Sequence, residues 1–416
     1  MYVEKTMAEK IRLKPVSKTR TGFTAPLRYP AFVVLWLSEA LSLIGDRLII
    51  VALLTLIYER TQSPGIVGVV MLLKALPPLV LGSLAGVFVD RWNRKWVMVA
   101  SNLIQGLLVL LFPLSDTLPL LFLAFLAMAV VNQFFTPARA ATIPGLVPAS
   151  ALLAANSLFS AAIVGAMALG PALGGWITES FGANAAFYVD AITFLIPALA
   201  VAMLTIPQTS RPPVKRAVKA DLSEGLAFIR TRADMLAALS LTSAAFMIMG
   251  TVGVLGVVVA RESLNVGAGG FGLMMSGMGI GMLIGAVGVS RLAARLNRTR
   301  LSTIGVGLAG MAVAALPWMT QLYPALGLMV LAGLGATITQ VSTQTTLQSA
   351  PEKLRGRVMG VMQMVMGGAM FLAPALAGLL AESAGTKIVL SGVGLIALSI
   401  SIVVAIRFRN PPSELA

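Results

Sequence analysis

The chain has 416 residues and a formal net charge of +15; 57% of its residues are hydrophobic, only 11% are charged, and mean hydropathy is +0.90. A soluble domain carries about 25% charged residues, so the composition predicts a polytopic membrane protein. Cys and His are absent, which excludes disulfides, thiolate metal sites and thiol nucleophiles. We therefore expect no metal site and no cofactor. Any proton coupling would have to use carboxylates, because the side chain that most often titrates near neutral pH is missing.

Twelve apolar stretches of about twenty residues or more predict helices long enough to cross roughly 30 Å of hydrocarbon. Their limits are 32–58, 65–89, 96–114, 118–138, 152–178, 184–206, 235–260, 269–290, 301–320, 323–346, 358–381 and 387–407. When spans one, two, four and six are shifted by 203 residues, they fall on spans seven, eight, ten and twelve. The sequence thus predicts an all-α membrane protein of twelve transmembrane helices, in which two six-helix bundles are related by pseudo-twofold symmetry.

The repeat is clearest between residues 170–182, GPALGGWITESFG, and residues 373–385, APALAGLLAESAG, where seven of thirteen positions are identical. Such internal similarity is typical of membrane proteins built from a doubled bundle. It predicts five segments, which are an N-terminal tail 1–30, a first bundle 31–206, a central loop 207–234, a second bundle 235–408 and a C-terminal tail 409–416.

Basic residues are distributed unevenly among the connections. Of 31 Lys and Arg residues, 26 lie in the two tails and in alternate connections, whereas the other connections hold only Arg60, Arg261 and Lys387. Cytoplasmic loops of membrane proteins carry such an excess, so both termini are predicted to be cytoplasmic. The positive charge is then a topology signal that requires no nucleic acid, and contact with anionic membrane lipids is expected.

The central loop contains the segment DLSEGLAFIRTR at 221–232, in which Leu222, Leu226 and Ile229 share one helical face. This spacing predicts a short amphipathic helix that lies at the cytoplasmic interface of the membrane. A plain linker is the alternative, and the sequence leaves both open.

The connection between spans two and three contains, in the order G-x-x-x-D-R-x-x-R-K, the residues Gly86, Asp90, Arg91, Arg94 and Lys95. A cytoplasmic loop needs the cations, but it needs neither the acid nor the glycine. This loop resembles the G-x-x-x-D-R-x-G-R-R/K motif of the major facilitator superfamily, with Asn93 in place of the second glycine. The resemblance implies that these residues hold the two halves together on the cytoplasmic side and control the gate.

Further stretches resemble the efflux branch of that superfamily, which includes macrolide and enterobactin exporters. They are SLIGD at 42–46, FTPAR ending at Arg139, and LRGR with Arg355 and Arg357. By this resemblance the three arginines are grouped with the cytoplasmic gate. One departure matters, because the arginine that many proton antiporters carry in span four has no counterpart in LAFLAMAVVNQFF at 123–135. Proton antiport is therefore left open by the motifs.

Span five contains a glycine-rich motif, Gly170-Pro171-Ala-Leu-Gly174-Gly175. Glycines four residues apart let membrane helices cross closely, and proline permits a bend, so helix packing alone accounts for the pattern. The same residues resemble the G-P-x-x-G-G motif of exporters, particularly of drug/proton antiporters.

Ionisable side chains inside a span cost at least about 2.5–3.5 kcal/mol each and therefore need a reason. Those present are Glu39, Asp46 and Arg47 in span one, Lys74 in span two and Asp190 in span six. Asp46 and Lys74 lie at similar depths, given a rise of about 1.5 Å per residue. They predict either a proton or cation site used in transport, or a fixed ion pair. Arg47 points to another side of its helix, and Asp190 is either a cavity residue or a structural partner of a neighbouring helix.

Amide side chains supply further polar groups, namely Asn132 and Gln133 on span four and Gln340 and Gln344 on span ten. In the superfamily, spans one, four, seven and ten line the central cavity, so the resemblance implies that these amides contact substrate. Hydrogen bonding between neighbouring helices is the alternative.

The resemblance implies a secondary transporter, not an enzyme, that exports an amphipathic small molecule of drug, macrolide or siderophore type by alternating access. Proton coupling through the span-one carboxylates is expected. ATP is not expected to drive transport directly, because the chain lacks a G-x-x-x-x-G-K-[ST] sequence. The alternative is movement of lipid or lysophospholipid without tight proton coupling. We expect a monomer in the inner membrane of a bacterium.

Overall fold

The computed structural model describes residues 22–115, 117–206, 218–293 and 296–408. Most of the predicted N-terminal tail, residues 207–217 of the central loop and the C-terminal tail 409–416 lie outside these ranges. The long helices are α1 Pro30–Thr61, α2 Pro64–Arg91, α3 Arg94–Val109, α4 Leu118–Leu146, α5 Leu152–Phe181, α6 Ala183–Met203, α7 Val218–Thr231, α8 Ala233–Val258, α9 Ala268–Ala293, α10 Arg298–Ala315, α11 Leu322–Gln348, α12 Glu352–Ala384 and α13 Thr386–Arg407. Helices α1–α6 and α8–α13 correspond to the twelve predicted spans, and α7 belongs to the central loop.

Within the described ranges, ten of these helices are long and apolar enough to cross a membrane. The other two predicted spans are α2, whose apolar segment is Pro64–Pro78, and α3, which has 16 residues. The sequence pattern extended span three to residue 114, but α3 ends at Val109. Pro113 accounts for this end, because its ring would clash with the carbonyl group of residue 109 in a continued helix. The all-helical fold is confirmed, whereas the number of crossings and the location of the termini stay predictions.

The backbone repeats the internal similarity of the sequence at the ends of its helices. Gln62 follows α1 with a φ of 52°, and Asn265, 203 residues later, has a φ of 53°. Gly182 and Gly385, which end the two copies of the repeated motif, both have a φ of 84°. Positive φ values are costly for residues other than glycine. Two halves with the same rare conformations at the same relative positions have the same fold.

Apolar side chains of both halves form one continuous core near the ends of α1 and α8. Leu54 and Ile57 of α1 and Val254 and Val258 of α8 are fully buried in it. Side chains on the outside of the bundle are apolar as well, which is the pattern expected of a protein surrounded by lipid. The most exposed large apolar residues include Leu153 at 81%, Met203 at 83% and Tyr323 at 84% exposure.

The central loop forms the predicted amphipathic helix, α7, within its described part. The face made by Leu222, Leu226 and Ile229 packs on α11 and α12, where it meets Leu347 and Val358. Arg357 of α12 forms an ion pair with Glu224 of α7, which adds to this contact. The helix was predicted correctly but its contact was not, because the apolar face of α7 is covered by the second half of the protein and not by the membrane interface.

The glycines with positive φ give a direct test of the repeated turn. Gly182→Ala should lower the free energy of unfolding by roughly 1–2 kcal/mol, because a Cβ atom strains the left-handed conformation. Gly165→Ala is the matched control, since Gly165 is helical and has open space around it; it should leave stability unchanged or raise it. Thermal unfolding of the purified protein in detergent measures both. Equal destabilisation by the two substitutions would contradict the assignment.

Candidate functional site

Glycine residues bring the two halves into backbone contact at two crossings. At the crossing of α5 and α9, a Cβ atom at Gly175 would overlap the Ala268 carbonyl oxygen and lie 3.0 Å from the Cα atom of Gly272. At the crossing of α2 and α12, a Cβ atom at Gly378 would lie 2.7 Å from the Pro64 carbonyl oxygen and 3.3 Å from the Cα atom of Gly68. Gly378 follows Gly175 by 203 residues, so the two crossings are equivalent under the repeat. Small residues permit this approach of membrane helices.

The other glycines of the span-five motif pack α5 on α1 inside the first half. A Cβ atom at Gly174 would lie 2.6 Å from the Leu48 carbonyl oxygen, and one at Gly170 would lie 2.9 Å from the Ile44 carbonyl oxygen. Pro171 lies between them within the helix. The motif therefore packs α5 on a helix of its own half and, through Gly175, on a helix of the other half.

A polar cluster joins the ends of α1 and α8, the latter continued by a π-helical turn, Val259–Ser263. Tyr58 Oη donates a hydrogen bond to Glu262 Oε1 at 2.6 Å, and Arg261 forms an ion pair with Glu59. Tyr58 and Glu59 correspond to Arg261 and Glu262 under the 203-residue repeat. Each contact is thus the counterpart of the other across the pseudo-twofold axis.

Two further glutamates contact the start of a helix in the opposite half. Glu179 Oε2 accepts a hydrogen bond from the backbone N–H of Gly269 at 2.6 Å, at the start of α9. Its repeat counterpart, Glu382, accepts a hydrogen bond from Ser63 Oγ, and Ser63 is the N-cap of α2. Helix N-termini favour negative charge. We call this end of the bundle, with Glu59, Glu179, Glu262 and Glu382, the acidic end, and the opposite end, with the basic loops, the basic end.

A cavity of about 230 Å³ lies inside the first half and contains charges of both signs. Its charged lining residues are Glu39, Asp46, Arg47, Lys74 and Arg139, and its amides include Asn102, Gln105 and Asn132. We call it the carboxylate cavity. Glu39 is 6% exposed and forms an ion pair with Arg139, whose guanidinium carbon lies 5.6 Å from the ring centre of Phe159. A buried carboxylate is thus paired with a cation that also contacts an aromatic face.

Arg139 occupies a different place from the one that the sequence pattern indicated. The pattern ended span four at residue 138 and assigned Arg139 to a loop of the gate, but α4 continues to Leu146 through Pro137 and Pro144. The side chain therefore points into the carboxylate cavity from α4. An arginine of the fourth helix does face a carboxylate of the first, although the segment 123–135 contains none.

Asp46 and Lys74 line the carboxylate cavity and also an adjoining cavity of about 200 Å³. Asn132 and Gln133 line this second cavity, and the Gln133 amide donates a hydrogen bond to its own helix at the Ala129 carbonyl oxygen. Asp46 and Lys74 interact electrostatically, but among the described ion pairs none joins them within 4.0 Å. Asp46 and Lys74 therefore face each other across a cavity and do not form a direct contact.

A third cavity, of about 200 Å³, lies between the two halves, and methionine is its most frequent lining residue. The methionines are Met71 and Met167 of the first half and Met249, Met275, Met278 and Met370 of the second. We call it the methionine chamber. Arg47 and Lys74 line both this chamber and the carboxylate cavity. Methionine side chains adapt to irregular apolar ligands, so an apolar compartment adjoins a charged one.

The remaining predicted residues lie elsewhere. Gln340 and Gln344 are half-buried on α11 and line none of these three cavities. Asp190 is fully buried behind the carboxylate cavity. Arg355 is exposed, whereas Arg357 binds Glu224 of α7.

The motif at the end of α2 is described only in part, because the surroundings of Gly86 and the side chain of Asp90 lie outside what the structure describes. Arg91 is exposed and Lys95 is half-buried at the basic end. Arg94 Nη1 donates a hydrogen bond to the Ala141 carbonyl oxygen at 3.1 Å. Asn93, which departs from the family motif, is the N-cap of α3 and accepts a hydrogen bond from the Lys95 N–H at 3.1 Å. Asn93 therefore stabilises the start of α3, because asparagine is a preferred N-cap residue.

Two site residues on α3 were not found from the sequence. Asn102 and Gln105 line the carboxylate cavity, and they are 1% and 5% exposed. They are polar, three residues apart and inside an apolar span, so they share one helical face. That spacing is the signal that would have identified them.

The fold and the cavities define a helical membrane transporter with two similar halves and a central pathway. The chain belongs to the Major Facilitator Superfamily, whose family model matches residues 35–374 and 241–416. It is a multi-pass membrane protein and a transporter, not an enzyme.

Relatives with names cover much of the chain. The multidrug efflux pump Tap of Mycolicibacterium fortuitum is 30% identical over 379 residues, which are 82% of this chain and 87% of that protein. The "Uncharacterized MFS-type transporter YfiS" of Bacillus subtilis (strain 168) is 27% identical over 386 residues, covering 89% of this chain and 91% of YfiS. Macrolide efflux protein A of Streptococcus pyogenes is 27% identical over 223 residues, covering 50% of this chain and 53% of that protein.

Among solved structures, a bacterial homologue of the human lysosomal transporter Spinster, in an inward-facing and unoccupied conformation, has a TM-score of 0.73 and 13% identity. The match covers 90% of this chain and 95% of that one. At this identity the similarity concerns the fold alone.

Adjacent glycines of the span-five motif separate packing within a half from packing between halves. Gly174→Ala and Gly175→Ala should both lower stability, by about 1–3 kcal/mol as for overpacked sites. Only Gly175→Ala should also separate the halves at the acidic end, because only its Cβ atom meets α9. Since the chain has no cysteine, spin labels at Phe181→Cys and Tyr323→Cys report that separation. An equal increase in distance for both variants would contradict the division of roles.

The Glu59–Arg261 ion pair should favour the closed acidic end. Because exposed pairs contribute about 0–1 kcal/mol, Glu59→Gln or Arg261→Gln should shift the equilibrium by no more than about fivefold. The charge reversal Glu59→Arg with Arg261→Glu should restore the original distance distribution between the same spin labels. Glu224→Gln, which removes a carboxylate far from this end, is the control. If the reversal behaves like the single substitutions, the ion pair does not stabilise closure.

Proposed function

We propose that this protein exports amphipathic molecules of the drug type by alternating access, coupled to protons. Two named relatives are efflux proteins, one for macrolides and one for multiple drugs. The observation that carries the proposal is the junction of the methionine chamber with the carboxylate cavity through Arg47 and Lys74. An amphipathic molecule has an apolar body for the first compartment and a polar group for the second. Drug, macrolide and siderophore types all meet this description.

In the proposed cycle, the two halves rock about the midplane. The closed acidic end and its backbone crossings represent one limit of this motion, with the cavities accessible from the basic side. The positive-inside rule assigns the basic side to the cytoplasm, so this limit would be inward-facing. In the other limit the crossings at Gly175 and Gly378 part, and the end of α2, which contains Asp90, closes the basic side. Rigid-body rocking suits two halves with the same fold.

Proton coupling in this proposal uses Glu39 and Asp46 of α1. When Glu39 binds a proton, its attraction to Arg139 falls, and the arginine is released to another partner. When Asp46 binds a proton, the positive charges of Arg47 and Lys74 are less compensated. Each event changes the charge that a substrate meets in the cavity, so proton binding and substrate binding can compete. Arg139 supplies the cation on α4 that the sequence motif lacked.

Flux measurements in proteoliposomes test this function. Ethidium and erythromycin serve as probes, and transport is followed with and without an imposed pH gradient. Asp46→Asn and Glu39→Gln should reduce gradient-driven flux by at least about tenfold, equivalent to about 1.4 kcal/mol, because neutral amides cannot carry the proton. Asp234→Asn is the matched control, since that carboxylate is paired with Arg232 outside the cavities and outside the gate motif.

Wild-type flux with unchanged pH dependence in both cavity variants would refute the proton coupling. Movement of a fluorescent lysophospholipid at equal rates with and without the gradient, together with no drug flux, would favour the lipid alternative.

The same vesicles determine whether the protein acts as a monomer, when flux is measured against protein density. We place the protein in the plasma membrane of a bacterium, with both termini in the cytoplasm.

A further inference from the structure

Asp190 of α6 is a buried acid that lines none of the three cavities described above. Its side chain is 0% exposed, and its Oδ2 atom is buried without a hydrogen-bond partner among the described residues. Its Oδ1 atom lies against the backbone of α1 at Gly45, where a Cβ atom would overlap both this oxygen and the Thr193 hydroxyl. A side chain at position 45 would therefore displace the acid.

The surrounding charges do not compensate an ionised Asp190 by direct contact. The charged residues on the helices packed against α6 are Glu39, Asp46, Arg47, Glu59 and Arg60 of α1, Arg94 and Lys95 of α3, and Glu179 of α5. Among the described ion pairs, none includes Asp190. A buried charge without a partner is very costly, and the usual outcome is that the group becomes neutral.

The two contacts of Thr193 accommodate the same protonation state, because the hydroxyl group can donate to either oxygen. Thr193 Oγ1 lies 2.8 Å from the Asp190 carbonyl oxygen and 3.0 Å from Asp190 Oδ1. A hydroxyl group has a single hydrogen to donate. If that hydrogen goes to the carbonyl oxygen, which is the common pattern for threonine in helices, the contact with Oδ1 needs a hydrogen from the carboxyl group. A protonated Asp190 then donates to Thr193 Oγ1. Each of the two contacts of Thr193 is in this way a hydrogen bond with its own hydrogen atom.

We propose that Asp190 is a proton-binding site, protonated in this conformation, which exchanges its proton with Asp46 during the transport cycle. This inference rests on the proposed proton coupling. Gly45 contacts Asp190 and directly precedes Asp46, and Phe194, one turn after Asp190, lines the carboxylate cavity with Asp46. A local displacement of α1 from α6 within the first half, in addition to the rocking of the halves, would therefore open Asp190 to the cavity that contains Asp46.

The exchange balances as a simple proton transfer. The O–H bond of Asp190 breaks, and the proton binds a carboxylate oxygen of Asp46. Thr193 turns its hydroxyl hydrogen from the backbone carbonyl oxygen to the new Asp190 carboxylate. Asp46 becomes neutral, so Lys74 and Arg47 lose their compensating charge beside the methionine chamber. Thus the proton on Asp190 in one conformation sets the charge of the cavity in the other.

Infrared spectroscopy tests the protonation state directly, because a carboxylic acid has a C=O stretching band distinct from that of a carboxylate. The closed conformation is fixed by a bifunctional thiol reagent that cross-links Glu59→Cys to Arg261→Cys, at the positions of the ion pair. At neutral pH this protein should show a carboxylic acid band that Asp190→Asn abolishes and Asp234→Asn, a surface carboxylate paired with Arg232, retains. Asparagine resembles the neutral acid in shape, so Asp190→Asn should unfold at the wild-type temperature.

The transfer itself is tested without the cross-link, by adding ethidium and recording the difference spectrum. The band assigned to Asp190 should shift to a carboxylate signal, and gradient-driven ethidium flux should fall at least tenfold in Asp190→Asn while ethidium binding stays within twofold. A band that persists in Asp190→Asn, or one that never changes with conformation or ligand, would overturn the inference. If the wild type shows the band and its change but no gradient-driven flux, the proposed export function fails while the proton site stands.

Discussion

Backbone-to-backbone contact between the halves is the constraint on which the rest of the structure depends. In a membrane, helices gain little from burying apolar surface, since lipid is equally apolar, and close van der Waals packing must hold them together. Gly175 and Gly378 supply this packing at two equivalent crossings. Because each crossing joins the halves on one side of the midplane, it closes the acidic end and leaves space at the centre. The positions of the cavities follow from this closure.

Apart from Asp190, the charged residues inside the first half each have a nearby opposite charge or line a polar cavity. Glu39 is paired directly with Arg139, whereas Asp46 and Lys74 interact across open space. A direct ion pair is costly to break, but charges around a cavity can be exchanged for a ligand or a proton. Because Asp46 lines a cavity and has no direct ion pair, it can exchange its binding partner more easily than Glu39 can. This exchange also explains why an ionisable group persists in a span despite its cost.

The sequence predicted the features that depend on periodicity and composition. The spans, the repeat, the packing role of the span-five glycines and the amphipathic face of α7 all follow from residue spacing along single helices. The sequence did not predict which helices would share a cavity. Arg139 was assigned to a loop because Pro137 and Pro144 disguised the continuation of α4, and Met167 and Met370 meet only through the docking of the two halves. Contacts of this kind depend on helix rotation, which hydropathy does not encode.

The two halves share a fold but not a charge pattern, and this asymmetry limits where coupling can occur. The second-half counterparts of Glu39, Asp46, Arg47, Lys74, Arg139 and Asp190, each 203 residues later, are Thr242, Met249, Gly250, Gly277, Ser342 and Val393. None is ionisable. The four glutamates of the acidic end, by contrast, are kept at both copies, since Glu59 matches Glu262 and Glu179 matches Glu382. In the proposed cycle, closure needs both halves alike, because the halves rock against each other, whereas a proton site needs only one copy. Met249 replaces Asp46 and lines the methionine chamber, so the second half provides apolar surface where the first provides charge. An amphipathic ligand between them would meet both.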